Sequence, residues 1–235
     1  MTLFNELFAG MFSPEWFAAF SGIVLLDLML SGDNAILIAL ACKNLPDDVR
    51  FRGILVGGIG AVVIRIVCTL FATGLLALPY LEFIGGAALL VIATNLAADK
   101  HSDDEEGKSQ PTTFWAAVRT ILIADFIMSI DNVLSLAGLA NTVPEGRWSL
   151  IICGLCISLP IVLCGAQFFL LIMKKVPALI YIGAAILGYT AAELMTADKG
   201  FGIYIADYAL ILKVLFSIGV VAVGLWIDRR SKASS

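Results

Sequence analysis

Of the 235 residues, 60% are hydrophobic and only 14% are charged, with a mean hydropathy of +0.97. Soluble domains sit near about half apolar and about a quarter charged, so this chain reads as an integral membrane protein. A net charge of −4 and the lack of a basic tract weigh against a nucleic-acid partner.

Seven segments are long enough to cross a bilayer as helix, which takes about 20 residues. They fall at 15–42, 53–77, 80–98, 114–140, 148–172, 177–197 and 206–227. The first has no basic region before it and carries Asp27 inside it, so it reads as a retained span rather than a cleaved leader. Turn and charge signals mark the breaks: "KNLPDDVRFR", "LP", "DKHSDDEEGKSQPTT", "NTVPEGR", "KKVP" and "TADKGFG". The second span holds Arg65, the fifth holds the pair Cys153 and Cys156, the sixth holds Glu193 and the seventh holds Lys213. The five cysteines lie in or beside apolar runs and read as small packing residues.

Orientation follows from basic residues in short loops. With the N-terminus outside, the cytoplasmic face receives Lys43, Arg50, Arg52, Lys100, Lys108, Arg119, Lys174, Lys175, Arg229, Arg230 and Lys232, against Arg147 and Lys199 opposite. The C-terminus is therefore expected in the cytoplasm.

An internal repeat organises the rest. "DLMLSGDN" at Asp27–Asn34 returns as "DFIMSIDN" at Asp125–Asn132, a gapless offset of 98 that also places Pro79 on Pro177 and Gly85 on Gly183. Each unit holds an odd number of spans, so the second must be inverted relative to the first. The expected architecture is an all-α membrane protein with seven transmembrane helices, a 3+3 inverted repeat plus one additional C-terminal helix. Its parts are a first repeat at 1–98, an acidic cytoplasmic linker at 99–113, a second repeat at 114–198, and a seventh helix with a basic tail at 199–235. Inverted repeats are a common plan of secondary transporters, with the substrate site near the midplane.

On a helix turning about 100° per residue, Asp27, Ser31 and Asn34 make one narrow polar stripe, and Asp125, Ser129 and Asn132 make another. Asp33 and Asp131 point about 120° away, toward a different neighbour or into a local helix distortion. Gly32 permits such a break in the first copy, whereas Ile130 stands at that place in the second. Carboxylates near the midplane cost several kcal/mol unless they face a cavity, a cation or a basic partner, so an ionisable residue there is a functional candidate. The bases within spans are Arg65 and Lys213, which leaves four aspartates short of two positive charges, the charge of one divalent cation. Asp33 with Arg65 is the expected structural ion pair. Carboxylate, amide and hydroxyl oxygens suit Mg²⁺, Ca²⁺ and Mn²⁺, and no His or Cys belongs to either motif. Met29 and Met128 lie close by, with packing as their expected role. Ser31, Ser129, Arg65 and Glu193 are candidate accessory residues, Glu193 as a gate ligand or a solvated interfacial group.

The stretches "DLMLSGDNAILIALA", "DFIMSIDNVLSLAG" and "GAVVIR" resemble the TerC family of integral membrane proteins, in particular its compact, YjbE-like members. The resemblance covers nearly the whole chain. It implies manganese efflux from the bacterial cytoplasm across the plasma membrane, with Asp27, Asp33, Asn34, Asp125, Asp131 and Asn132 as working positions. No enzyme activity and no resident cofactor are expected, only a transported divalent cation. The expected partners are the bilayer and the metal ion, and a homo-oligomer is compatible with the sequence. One rival is an intramembrane aspartyl protease, which also uses two aspartates on separate helices. Its YD and GxGD motifs are absent, and it leaves the duplicated Ser and Asn unexplained. A non-transporting scaffold or accessory protein is a second rival, and a carrier of Ca²⁺, Mg²⁺ or another ion is a third.

Overall fold

The computed structural model describes residues 11–71, 78–98 and 113–233. The acidic linker lies outside these residues apart from Thr113, and so does the side chain of Asp131. Every regular element among the described residues is helical. In chain order the helices are α1 (Pro14–Leu30), α2 (Gly32–Cys42), α3 (Asp47–Leu70), α4 (Leu81–Ala98), α5 (Phe114–Ala140), α6 (Arg147–Lys175), α7 (Leu179–Ala197), the short α8 (Gly202–Ile205) and α9 (Ala209–Ala233). A helix thus stands at each of the seven expected segments, with the first broken into α1 and α2.

Among the described residues, five helices are long and apolar enough to cross a membrane, and the α1–α2 pair, bent by 48°, has the length and composition of a broken span or a re-entrant loop. Helix α5 is 27 residues long, about 40 Å at 1.5 Å per residue, and carries the second motif. Large apolar side chains stand bare on the outside: Met29 is 84% exposed, Leu210 73% and Trp115 72%. Water would penalise such a surface, whereas hydrocarbon does not.

Local sequence explains where the helices begin. Ser13 accepts from the Trp16 amide at 3.1 Å, with Pro14 opening α1. Thr113 accepts from Ala116 at 3.3 Å to cap α5. Each cap satisfies an amide that the first turn leaves unpaired. The helices then pack in a definite pattern. The most extensive pairings are α4 with α7, α3 with α5, and α6 with α1 and α2, while α9 lies against α7 and α4. Between helices in lipid, dispersion at close approach replaces the hydrophobic drive. Gly86 illustrates this: a Cβ there would stand 2.6 Å from the backbone oxygen of Ala191 on α7. Leu89 on α4 and Leu187 on α7 lie fully buried in the same core.

The break between α1 and α2 falls at Ser31, whose φ of −105° and ψ of 6° leave the helical region. Gly32 follows in open space, with no atom within 4 Å of where its Cβ would be. In α5 the matching residue, Ile130, is buried at 2% exposure and the helix runs on. Glycine lowers helix stability by about 1 kcal/mol relative to alanine, whereas a buried isoleucine is held by its neighbours.

Candidate functional site

Arg65 projects from α3 into the seam between the two motif helices and is only 5% exposed. Its Nη1 donates to Asp27 Oδ1 and, at 3.0 Å, to Ser31 Oγ. Nη2 reaches Asp125 Oδ1 at 3.2 Å, and Nε lies 3.4 Å from Ser129 Oγ. One guanidinium therefore touches both copies of the motif. Its planar fork of donors suits this bridging better than an ammonium would. Two carboxylates against one guanidinium leave one formal negative charge in a buried place.

The remaining acceptors are filled by hydroxyls. Ser129 Oγ donates to Asp125 Oδ2 at 3.2 Å, one turn back on the same helix. Asp27 Oδ2 instead receives a hydrogen bond from Ser158 of α6. Asp27, Ser31, Asp125, Ser129 and Ser158 are all at most 3% exposed. Of the two expected polar stripes, Asp27 with Ser31 and Asp125 with Ser129 thus meet across Arg65, whereas Asn34 and Asn132 make no contact with it.

Beside this network is a cavity of about 20 Å³, room for roughly one water-sized sphere. Its polar lining comes from Asp27, Ser31, Asn34, Arg65, Asp125 and Ser158. Asn34 is notable there. Both its side-chain oxygen and nitrogen are buried without a hydrogen-bond partner. An unsatisfied buried polar group costs about 1–3 kcal/mol, so a native one calls for an explanation such as a ligand.

The remaining candidates divide. Asn132 is buried at 8% exposure but is not part of the cavity wall. Asp33 is half-buried and, beyond the break at Ser31, faces a different neighbour from Asp27. Its Oδ1 accepts from the backbone N–H of Asn34 at 2.9 Å, and its Oδ2 from Thr190 Oγ1 of α7 at 3.4 Å. The expected Asp33–Arg65 ion pair is therefore corrected: Arg65 pairs with Asp27 and Asp125, because those carboxylates share its face and Asp33 does not. Asp131 continues α5, and its side chain lies outside the described residues. Glu193 forms an ion pair with Lys213 at 2.5 Å, while Lys213 also sits 4.8 Å from the Tyr189 ring centre. Lys213 is thus engaged with Glu193 rather than serving as a counter-charge to the motif. Met29 faces outward and Met128 is packed in the core, so neither reaches the cavity. All five cysteines are free thiols.

Ser158 escapes a reading of the sequence. It lies 131 residues from Asp27, outside either motif, and its one local signal is a hydroxyl two residues before Pro160 in an apolar helix. Thr190 escapes it for the same reason.

Among the described residues, no three Asp, Glu, His or Cys side chains converge as a metal cage. The donors around the cavity are two carboxylates, one amide and the hydroxyls of Ser31 and Ser158, an all-oxygen set of the kind hard divalent cations prefer.

Residues 12–234 match the family described as "Integral membrane protein TerC family". The chain is 39% identical over 193 residues to the membrane protein YjbE of Bacillus subtilis (strain 168), covering 82% of this chain and 86% of that one. It is 27% identical over 184 residues to the membrane protein YkoY of the same organism, covering 72% of this chain and 56% of that one. It is 23% identical over 237 residues to the inner membrane protein YoaE of Escherichia coli (strain K12), covering 93% of this chain and 44% of that one. No solved structure matches. A family match over nearly the whole length, on helices whose apolar faces need lipid, settles the class: the chain belongs to the TerC family of integral membrane proteins.

Proposed function

We propose that this protein is a secondary transporter that moves a divalent cation, with Mn²⁺ favoured, out of the bacterial cytoplasm. The observation that carries the reading is the meeting of Asp27 and Asp125, one from each motif copy, at a buried cavity that also presents the unpartnered amide of Asn34. In this reading the chain has seven spans, with the N-terminus outside and the C-terminus in the cytoplasm, and the cavity lies near the midplane. The packing pattern supports an inverted repeat. Exchanging the two halves maps α4–α7 onto itself and α3–α5 onto α6 with α1 and α2.

In this reading the cation sheds part of its water and is held by Asp27, Asp125 and Asn34, with the hydroxyls of Ser31 and Ser158 beside them. Rocking of one repeat against the other then opens the site outward. Asp33, Asp131 and Asn132 complete or relay the path, and Asp33 already links the first motif to α7 through Thr190. Protons compete with the cation for the same carboxylates, so an opposing proton gradient would drive export. Mn²⁺ flux that ignores an imposed pH gradient would rule that coupling out. The choice of Mn²⁺ over Ca²⁺ or Mg²⁺ rests on the family resemblance, since the oxygen donors alone do not separate them.

One observation favours a second reading. Arg65 already holds both carboxylates, as a purely structural knot between helices would require. The test is Mn²⁺ flux in proteoliposomes for wild type, Asp27→Asn and Asp125→Asn, with folding checked by monodispersity. Flux in wild type, lost in both folded variants, establishes transport through a shared site. Absence of wild-type flux for Mn²⁺, Ca²⁺ and Mg²⁺ at every pH gradient favours the structural knot and a scaffold role.

A further inference from the structure

A carrier with two ionised carboxylates in its core has a difficulty after release. The empty site must return across the membrane, yet bare carboxylates there cost several kcal/mol each. The geometry around Arg65 offers a solution. Its guanidinium is fixed to α3, reaches both Asp27 and Asp125, and lies between the two motif copies where a cargo cation would bind. We propose, resting on the transport reading above, that Arg65 is a tethered counter-cation that supplies one of the cargo's two charges in the empty carrier, the coupled proton supplying the other, and so lets it reorient without a returning metal ion.

Two further features fit this role. The cavity beside the guanidinium is walled on α3 by Gly58, Ala61 and Val62, toward the N-terminal end of that helix from Arg65. That cavity holds about one water-sized sphere, so a cation reaches the two carboxylates only as the guanidinium gives way, which is the competition this role requires. The unpartnered Asn34 amide lines the same cavity and receives nothing from Arg65 in the state seen here. It remains as the ligand that distinguishes cargo from guanidinium. Cation and Arg65 then compete for the same two carboxylates. The carrier performs net efflux rather than obligatory metal-for-metal exchange.

The experiment separates those two modes. Proteoliposomes loaded with ⁵⁴Mn²⁺ are assayed for net efflux into metal-free buffer and for exchange against external Mn²⁺, using wild type, Arg65→Gln and Arg65→Lys. In Arg65→Gln, net efflux is expected to fall at least about tenfold while exchange persists, because only the cargo-free return is blocked. Mn²⁺ binding by the same detergent-purified protein should tighten, since the internal competitor is gone. Arg65→Lys keeps the charge without the fork and should retain a higher ratio of net efflux to exchange than Arg65→Gln. It also serves as the readout if Arg65→Gln is not monodisperse: its ratio should then fall below wild type. An unchanged ratio in the folded variants, or equal loss of both modes, overturns the tethered-cation role while leaving wild-type transport intact. No Mn²⁺ movement in wild type in either mode overturns the transport reading itself.

Discussion

The two copies of the motif share Asp, Ser, Asp and Asn at the same spacing, yet they are put to different uses. In the first copy the helix breaks at Ser31, Asp27 takes hydrogen bonds from α3 and α6, and Asn34 is left unpartnered at the cavity. In the second the helix runs through, Asp125 is held by Ser129 of its own helix as well as by Arg65, and Asn132 stays out of the cavity wall. The residue between Ser and Asp marks the difference. Gly32 sits in open space where a bend is cheap, and Ile130 is locked in the core. The repeat thus carries two equivalent sets of polar side chains, and local packing leaves one on a broken helix at the cavity and the other on a continuous helix.

The largest effect that tests this comparison is loss of either carboxylate. Asp27→Asn and Asp125→Asn should each lower Mn²⁺ flux by about 10–100-fold, the range over which metal sites respond to disturbed ligation. If one of them transports normally, the two copies do not share a site. Stability should be affected next. Asp27→Ala and Asp125→Ala each leave Arg65 paired with one carboxylate, so the cost is that of the lost hydrogen bonds, about 1.5–3 kcal/mol for a bond to a charged group. Thermal unfolding in detergent should show similar losses for the two, because each also takes a carboxylate acceptor from a serine, Ser158 of α6 in one case and Ser129 of α5 in the other.

The asparagines sharpen the contrast further. Asn34→Ala removes two unsatisfied buried atoms, so stability should stay within about 1 kcal/mol of wild type. Its Mn²⁺ affinity, read by calorimetry, should nonetheless fall about tenfold, by analogy with other metal-site partners. Asn132→Ala should weaken binding less, and equal losses in the two variants would erase the distinction between the copies. The smallest change is expected from Gly32→Ala. The added methyl meets open space, and alanine favours helix over glycine by about 1 kcal/mol. Stability should therefore hold or rise slightly, while flux slows if the bend at Ser31 must flex. Ile130→Gly should instead destabilise α5, through both lost packing and backbone freedom.

Much of the site is legible in the sequence alone. The polar stripes Asp27–Ser31–Asn34 and Asp125–Ser129–Asn132 follow from the helical period, and the asymmetry of Gly32 against Ile130 is read from the residues themselves. For Asp33 the period leaves open a different neighbour or a local helix distortion. The partner of Arg65 is not legible there. Spacing places Asp33 and Asp27 on known faces of their own helix, but which face meets α3 depends on how the helices rotate against one another. Glu193 and Lys213 both stand out as charges within apolar spans, yet their pairing requires α9 to dock on α7, and no repeat constrains α9.

The sequence by itself determined the membrane class, the helical segments and the duplicated polar stripes. These rest on composition and periodicity, which are local properties of the chain. Only tertiary structure decided that Arg65 bridges Asp27 and Asp125, that Ser158 completes the first carboxylate, and that Asn34 stands unpartnered at the cavity. Those contacts join residues 38 to 131 positions apart. They are fixed by helix rotation and close packing, which no local pattern encodes.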